Sequence, residues 1–150
     1  MLETSIPRPP GFTRCYGCGP DNERGLALEF DRDGEAVVAR LTPSPEHGGY
    51  GRLVHGGVTA TLVDEAFGWA LFALLGKIGM TTEMTLTFHA PLRCGEPLMV
   101  RGTIEHSDAR TAIVRAEIHH GAGKLAATGT GTLRFVSQRA VERIGGFSAG

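Results

Sequence analysis

The chain has 150 residues and 15.9 kDa, with 41% hydrophobic and 21% charged residues. That composition excludes a disordered or collagenous chain and leaves room for one domain with its own core rather than two. Fifteen basic and sixteen acidic residues give a formal net charge of −1, so no strong field draws the chain to nucleic acid or to an anionic membrane.

Residues 1–24 carry Pro7, Pro9, Pro10 and Pro20 and read as an irregular lead-in. The opening MLETSIPRPP has no apolar core of a secretory signal, so a cytoplasmic protein is expected. Three cysteines, an odd number, do not make a secreted disulfide framework. Residues 25–136 read as the domain proper. Its first apolar runs are Gly25–Phe30 and Glu35–Leu41, separated by Asp31-Arg32-Asp33-Gly34, a turn sequence that predicts a hairpin. After Pro43 and Pro45, a loop with Gly48, Gly49 and Gly51 leads to His55-Gly56-Gly57.

The apolar stretch Val58–Leu75 has helical length, and Asp64 and Glu65 near its middle would cost several kcal/mol in lipid. It reads as a buried helix over about 57–75, capped by Thr59 or the glycines and closed by Gly76 and Gly79. Beyond it, period-two alternation sets Met84, Leu86 and Phe88 on one face and Glu83, Thr85, Thr87 and His89 on the other. Similar runs follow at Leu98–Glu105, Thr111–His119 and Lys124–Val136, joined by short turns. The pattern predicts an α+β fold, an antiparallel sheet of five to six strands with one long helix buried against its concave face. Gly129 and Gly131 would let that sheet close on the helix. Residues 137–150 read as a polar tail with one helical turn.

Three features carry chemistry. Ala60, Asp64 and Gly68 share one helix face, so small side chains flank Asp64, whereas Glu65 is rotated ~100° away with Thr61 and Trp69. The free amides at the helix start suit an oxyanion or a polarised carbonyl, with Gly56 the leading donor. Gly56 lies eight residues from Asp64, ~12 Å along a helix, so the two belong to different sites or a second chain completes one. A two-fold dimer with its helices side by side would bring them together. Plainer readings stand beside these. Asp64 can be a paired interface residue or the wet edge of the helix, Gly56-Gly57 a simple turn, and His55 a loop histidine bonded to backbone.

The runs GRLVHGGVTATLVDEAFGWAL (51–71), TTEMTLTFHAPLRCGEPL (81–98) and CYGCGPDNERGLALEF (15–30) resemble the hotdog-fold acyl-CoA thioesterases. Within them they look most like the PaaI-like branch of the 4-hydroxybenzoyl-CoA thioesterase superfamily, and the likeness covers roughly residues 12–136. The resemblance implies a sheet wrapped around one central helix, an acyl-CoA substrate, no cofactor, and a homodimer or homotetramer with active sites at its interfaces. By position Asp64 matches the catalytic carboxylate, as general base or nucleophile, and Gly56 the amide that polarises the thioester carbonyl from the neighbouring subunit. Thr81, or Thr82 with a one-residue shift, matches a hydroxyl that helps place water. Gly57 and Gly68 would line the substrate. The family often carries Asn or Gln six residues before the histidine; here Gly49 stands there, with His55 or Tyr50 as substitutes. Arg93, Arg101 and Arg110 are candidates for coenzyme A phosphates. The same fold also admits a non-catalytic acyl-CoA-binding module, or a hydroxyacyl-thioester dehydratase pairing His47 with Asp64 or Glu65.

Cys15-x-x-Cys18 invites a zinc or redox reading, but zinc normally takes four ligands and only Cys94 and scattered histidines remain to supply them. Gly19-Pro20 argues against the helix that a thioredoxin-like pair would want. A tight turn with two small, partly buried thiols is expected, and no metal site. His119 and His120 would point to opposite faces of a strand. Trp69 and the phenylalanines are expected in the core or lining an acyl pocket.

Overall fold

The computed structural model describes residues 6–9 and 11–145; Pro10, the first five residues of the expected lead-in and the last five of the expected tail lie outside them. Six antiparallel strands form one sheet: β1 (Phe30–Asp33), β2 (Ala36–Leu41), β3 (Ile78–Phe88), β4 (Leu98–Ser107), β5 (Thr111–His120) and β6 (Leu125–Val136). Their spatial order is β1-β2-β4-β5-β6-β3, so β3 is an edge strand, paired among the described residues only with β6. The helix α1 (Gly56–Ala70) runs on into a π-helical turn over Leu71–Leu75, and a short helix α2 (Gln138–Gly145) follows β6.

The expected architecture is present, and side-chain size explains how it closes. Val58, Leu62, Val63, Ala66, Phe67 and Ala70 of α1 are buried against the inner face of the sheet, each large apolar side chain contributing ~1.5–3 kcal/mol. A Cβ at Gly129 would strike Val63 and one at Gly131 would strike the Phe67 ring, while one at Gly102 would sit 2.7 Å from the Ala66 carbonyl. These glycines cut the groove in which the helix lies. Gly56–Leu75, 20 residues, is long and apolar enough to cross a membrane, with mean hydropathy 1.5 over an 18-residue window, but here its apolar face lies against the sheet.

Several local expectations are corrected. Asp31, Arg32 and Asp33 pair with β2 instead of turning, and the turn is Gly34-Glu35, with Gly34 at φ 60° as a two-residue hairpin loop requires. Residues 25–29 precede the strand and lie along the lead-in, where Leu26 and Leu28 donate to the Tyr16 and Gly17 carbonyls at 2.9 Å. The helix cap is His55, not Thr59, which is buried one turn in. Gly76 closes the helix in the left-handed region (φ 63°), but Gly79 belongs to β3. The single helical turn expected after residue 137 is an eight-residue helix.

Candidate active site

The start of α1 is ordered by its own cap. His55 Nδ1 accepts from the Gly57 amide at 2.9 Å, and the His55 carbonyl accepts from Val58 and Thr59 at 2.9 and 3.1 Å. The Gly56 N–H is left with no partner among the described residues. It carries the partial positive charge of a helix N-terminus and has open space around it, the nearest atom to an added Cβ being on the Phe88 ring at 3.8 Å. The amide of Gly57 is already engaged. A side chain at Gly49 would press on His55, with its Cβ 3.1 Å from the His55 Cα, so glycine there leaves room for the capping histidine. Tyr50, at the tip of the same loop, is 89% exposed, with no hydrogen bond to its hydroxyl among the described residues. Among the described residues no hydrogen bond joins Tyr50 or His55 to Asp64.

Asp64 has a defined partner. The Thr81 hydroxyl donates to Asp64 Oδ1 at 2.6 Å, and a β-bulge makes the contact possible. The register of β3 on β6 slips between Thr81 and Glu83, so Gly79 and Thr81 face the helix before the slip and Met84 and Leu86 after it. Bulges re-aim side chains in this way. Thr82 is the extra residue; it is exposed, and its hydroxyl donates to the Thr132 carbonyl at 3.1 Å. Thr81, not Thr82, therefore faces the acid.

The two acids do meet different surroundings. Glu65 turns to the lead-in, where the Cys15 thiol donates to its Oε1 at 3.5 Å. Burial, then the charge of Cys15, pushes the Glu65 carboxyl up to about 7. Gly68 opens on a cavity of about 100 Å³ shared with Cys15, Cys18, Glu65, Trp69 and Phe72, so its clearance serves the Glu65 side. Trp69 is core, stacked on Phe30 with ring centroids 5.6 Å apart and edge-on to Phe72. Phe88 is 56% exposed and lines, with Leu53, Val54, Thr59, Pro91 and Leu92, a second cavity of about 360 Å³ beside the helix start.

The basic candidates separate by partner. Arg93 is exposed on a segment tied to the entry of α1, where Val54 donates to Leu92 and Cys94 to Arg52, both at 2.8 Å, and its guanidinium has no ion pair among the described residues. Arg101 is paired with Asp33 at 3.1 Å, and Arg110 sits in the β4–β5 turn, its amide donating to Asp108. His47 accepts from the Ser44 amide at 3.2 Å, closing the 3-10 turn Pro45–His47. The histidine of the dehydratase pairing is thus engaged within its own turn. The sequence reading missed Glu65 as a neighbour of Cys15, because the two lie 50 positions apart and no local spacing signals the contact.

Several known proteins are similar to this chain in sequence and fold. The model of the thioesterase superfamily matches residues 51–127, which hold both Gly56 and Asp64. Human acyl-coenzyme A thioesterase 13 is 30% identical over 98 residues, 64% of this chain and 70% of that protein. An uncharacterized Schizosaccharomyces pombe protein is 32% identical over 66 residues, 43% of this chain, and the match spans only 38% of its length. Zebrafish thioesterase superfamily member 2 superposes with a TM-score of 0.72 at 26% identity, covering 83% of this chain and 94% of that one. The Escherichia coli PaaI protein shares the fold, with a TM-score of 0.69 at 22% identity over 75% of this chain and 81% of its own. A sheet wrapped around one helix, together with a family match spanning the helix and most of the strands after it, places this hotdog chain in the thioesterase superfamily.

Proposed function

We propose that the chain is an acyl-CoA thioesterase, hydrolysing an acyl-CoA to the free acid and coenzyme A at sites shared between two subunits. The observation that carries this reading is an acid, Asp64, oriented by Thr81 in a helix that opens on the unengaged Gly56 amide. On one continuous helix these groups stand ~12 Å apart, too far to serve one carbonyl. The edge strand supplies the second chain. Gly56 neighbours Phe88 at one end of β3 and Asp64 neighbours Thr81 at the other. Antiparallel pairing of two β3 edges about a two-fold axis near Met84 and Thr85 sets Thr81 opposite Phe88, and so brings Asp64 toward the partner subunit's Gly56. An eleven-residue open edge is also a surface that proteins normally pair or cover.

In the reaction Asp64 takes a proton from water as the water oxygen bonds to the thioester carbon. The partner subunit's Gly56 N–H holds the oxyanion, and the C–S bond then breaks to release the coenzyme A thiolate. Direct attack by Asp64 on the carbon, followed by hydrolysis of the anhydride, uses the same groups. Thr81 fixes which carboxylate oxygen is free to act, and Arg93 stands at the rim by the helix start, where a phosphate would be met. Thr82, His55, Gly49 and Tyr50 take no part in the chemistry in this reading. The test is thiol release from a panel of aromatic, short-chain and long-chain acyl-CoAs by the wild type and by Asp64→Asn. Hydrolysis of at least one substrate, lost in the variant with the fold intact, supports the proposal. Ligand-induced thermal stabilisation with no thiol release across the panel would identify a binding module instead.

A further inference from the structure

The cavity of about 100 Å³ beside Glu65 on α1 is lined by a group of side chains that the hydrolytic reading leaves unused. Cys15 Sγ, Cys18 Sγ and a Glu65 carboxylate oxygen all lie within 4.8 Å of one another. The Cys15–Glu65 separation is 3.5 Å, and a tetrahedral zinc ion with sulfur at ~2.3 Å and oxygen at ~2.0 Å holds those two donors ~3.5 Å apart. The spacing is thus already that of two ligands on one metal.

The surrounding backbone is built for this convergence. Cys15-Tyr16-Gly17-Cys18-Gly19 folds as a tight knuckle, with Gly19 donating to the Cys15 carbonyl at 2.8 Å. The knuckle is held on the segment leading into β1, where Leu26 and Leu28 donate to the Tyr16 and Gly17 carbonyls. Gly17 is the position that admits the third donor, since a Cβ there would strike the Glu65 carboxyl directly. Three potential anions gathered at one point, with no basic side chain bonded to them among the described residues, repel one another unless they stay protonated or a cation joins them. The remaining side of the group faces the cavity of about 100 Å³ lined by Phe12, Gly68, Trp69, Phe72 and Lys77, which leaves a fourth coordination position open.

We infer that Cys15, Cys18 and Glu65 form a site for a thiolate-preferring divalent metal ion, zinc in its chemistry, which staples the lead-in to the central helix and keeps one coordination position toward the cavity. Two sulfur donors select zinc-like ions over magnesium or calcium. Counting only cysteines and histidines in the sequence left the set short of ligands; the fold adds the carboxylate from the helix.

The test uses the purified chain, reduced, stripped with a chelator and titrated with Co²⁺ and then Zn²⁺. One cobalt per chain is expected, with thiolate-to-cobalt charge-transfer absorption and strong tetrahedral d–d bands that zinc abolishes. Cys15→Ser and Cys18→Ser should lose the charge-transfer band, Cys94→Ser should keep it, and Glu65→Gln should weaken zinc binding by more than ~10-fold, the scale on which even outer-shell partners act. Sub-stoichiometric cobalt uptake by the wild type overturns the proposal, as do thiolate bands that persist in Cys15→Ser. So does a reduced chain that takes up no cobalt yet forms a Cys15–Cys18 disulfide in air. The wild-type titration reads occupancy and ligand type directly, so the outcome depends neither on the variants folding nor on thioesterase activity.

Discussion

Thr81 Oγ1 donates a hydrogen bond of 2.6 Å to Asp64 Oδ1, tying the acid in the middle of the central helix to the edge strand of the sheet. A carboxylate held this way presents its other oxygen in a fixed direction. Thr81→Val keeps the shape and removes the donor, and it should lower kcat for the best substrate by ~10-fold or more. Asp64→Asn should lower it by ~10²–10⁴. Thr82→Val should leave kcat near wild type, because that hydroxyl bonds the Thr132 carbonyl. Steady-state thiol release from the three purified variants checks the order, and a Thr82 effect larger than that of Thr81 would reverse the assignment.

Shared sites predict complementation. Gly56→Pro removes the amide proton while proline remains acceptable at the first helical position, so this variant and Asp64→Asn should each be inactive alone. Mixed after reversible dissociation, half of the dimers are heterodimers with one intact site, and about a quarter of wild-type activity should return. A mixture as inactive as its parents would place both groups in one chain.

His55 is expected to act as a helix cap, not as an acid or base. His55→Asn retains a side-chain acceptor for the Gly57 amide and should keep both stability and most of the activity, whereas His55→Ala should lose ~1 kcal/mol. Urea midpoints and kcat/KM measured together distinguish the roles. A stable His55→Asn protein with no activity would restore the histidine to the chemistry.

The groove cut by glycine makes a steric prediction. Gly129→Ala and Gly131→Ala each put a methyl group into Val63 or Phe67, buried side chains of the helix, and overpacking of this kind costs ~1–3 kcal/mol. Gly68→Ala, with nothing within 4 Å of an added Cβ, should be neutral or slightly stabilising, since alanine is the better helix former. Thermal unfolding of the three variants measures the contrast.

On the outer part of β5, Glu117 accepts from His119 at 3.0 Å and from Arg115 at 3.2 Å. The bond to His119 leads in holding its carboxyl below the usual range, against partial burial. A depressed carboxylate stabilises the fold above its unfolded pKa, and that contribution is lost as pH falls through the folded value. Glu117→Gln should therefore cost up to ~1 kcal/mol at neutral pH and almost nothing in acid well below the ordinary glutamate value of ~4.3. Paired urea titrations at the two pH values test the sign.

Much of this arrangement is legible in local sequence. The length and hydrophobicity of 58–75 predict the central helix, period-two runs predict the later strands, and the rise of ~1.5 Å per residue already separates Gly56 from Asp64 by too much for one chain to serve one carbonyl. Those properties repeat along the chain, so neighbouring residues carry them. What tertiary structure decided lies where the repeat breaks or where distant segments meet. Alternation back from Met84 would turn Thr82 inward, and only the bulge, which exists because β3 is laid on β6, gives the inward place to Thr81. His55 becomes a cap because its ring folds back on the Gly57 amide. Glu65 joins Cys15 and Cys18 because Gly17 lets the lead-in close on the helix, a contact across 50 positions that depends on chain packing and has no signature in the spacing of residues.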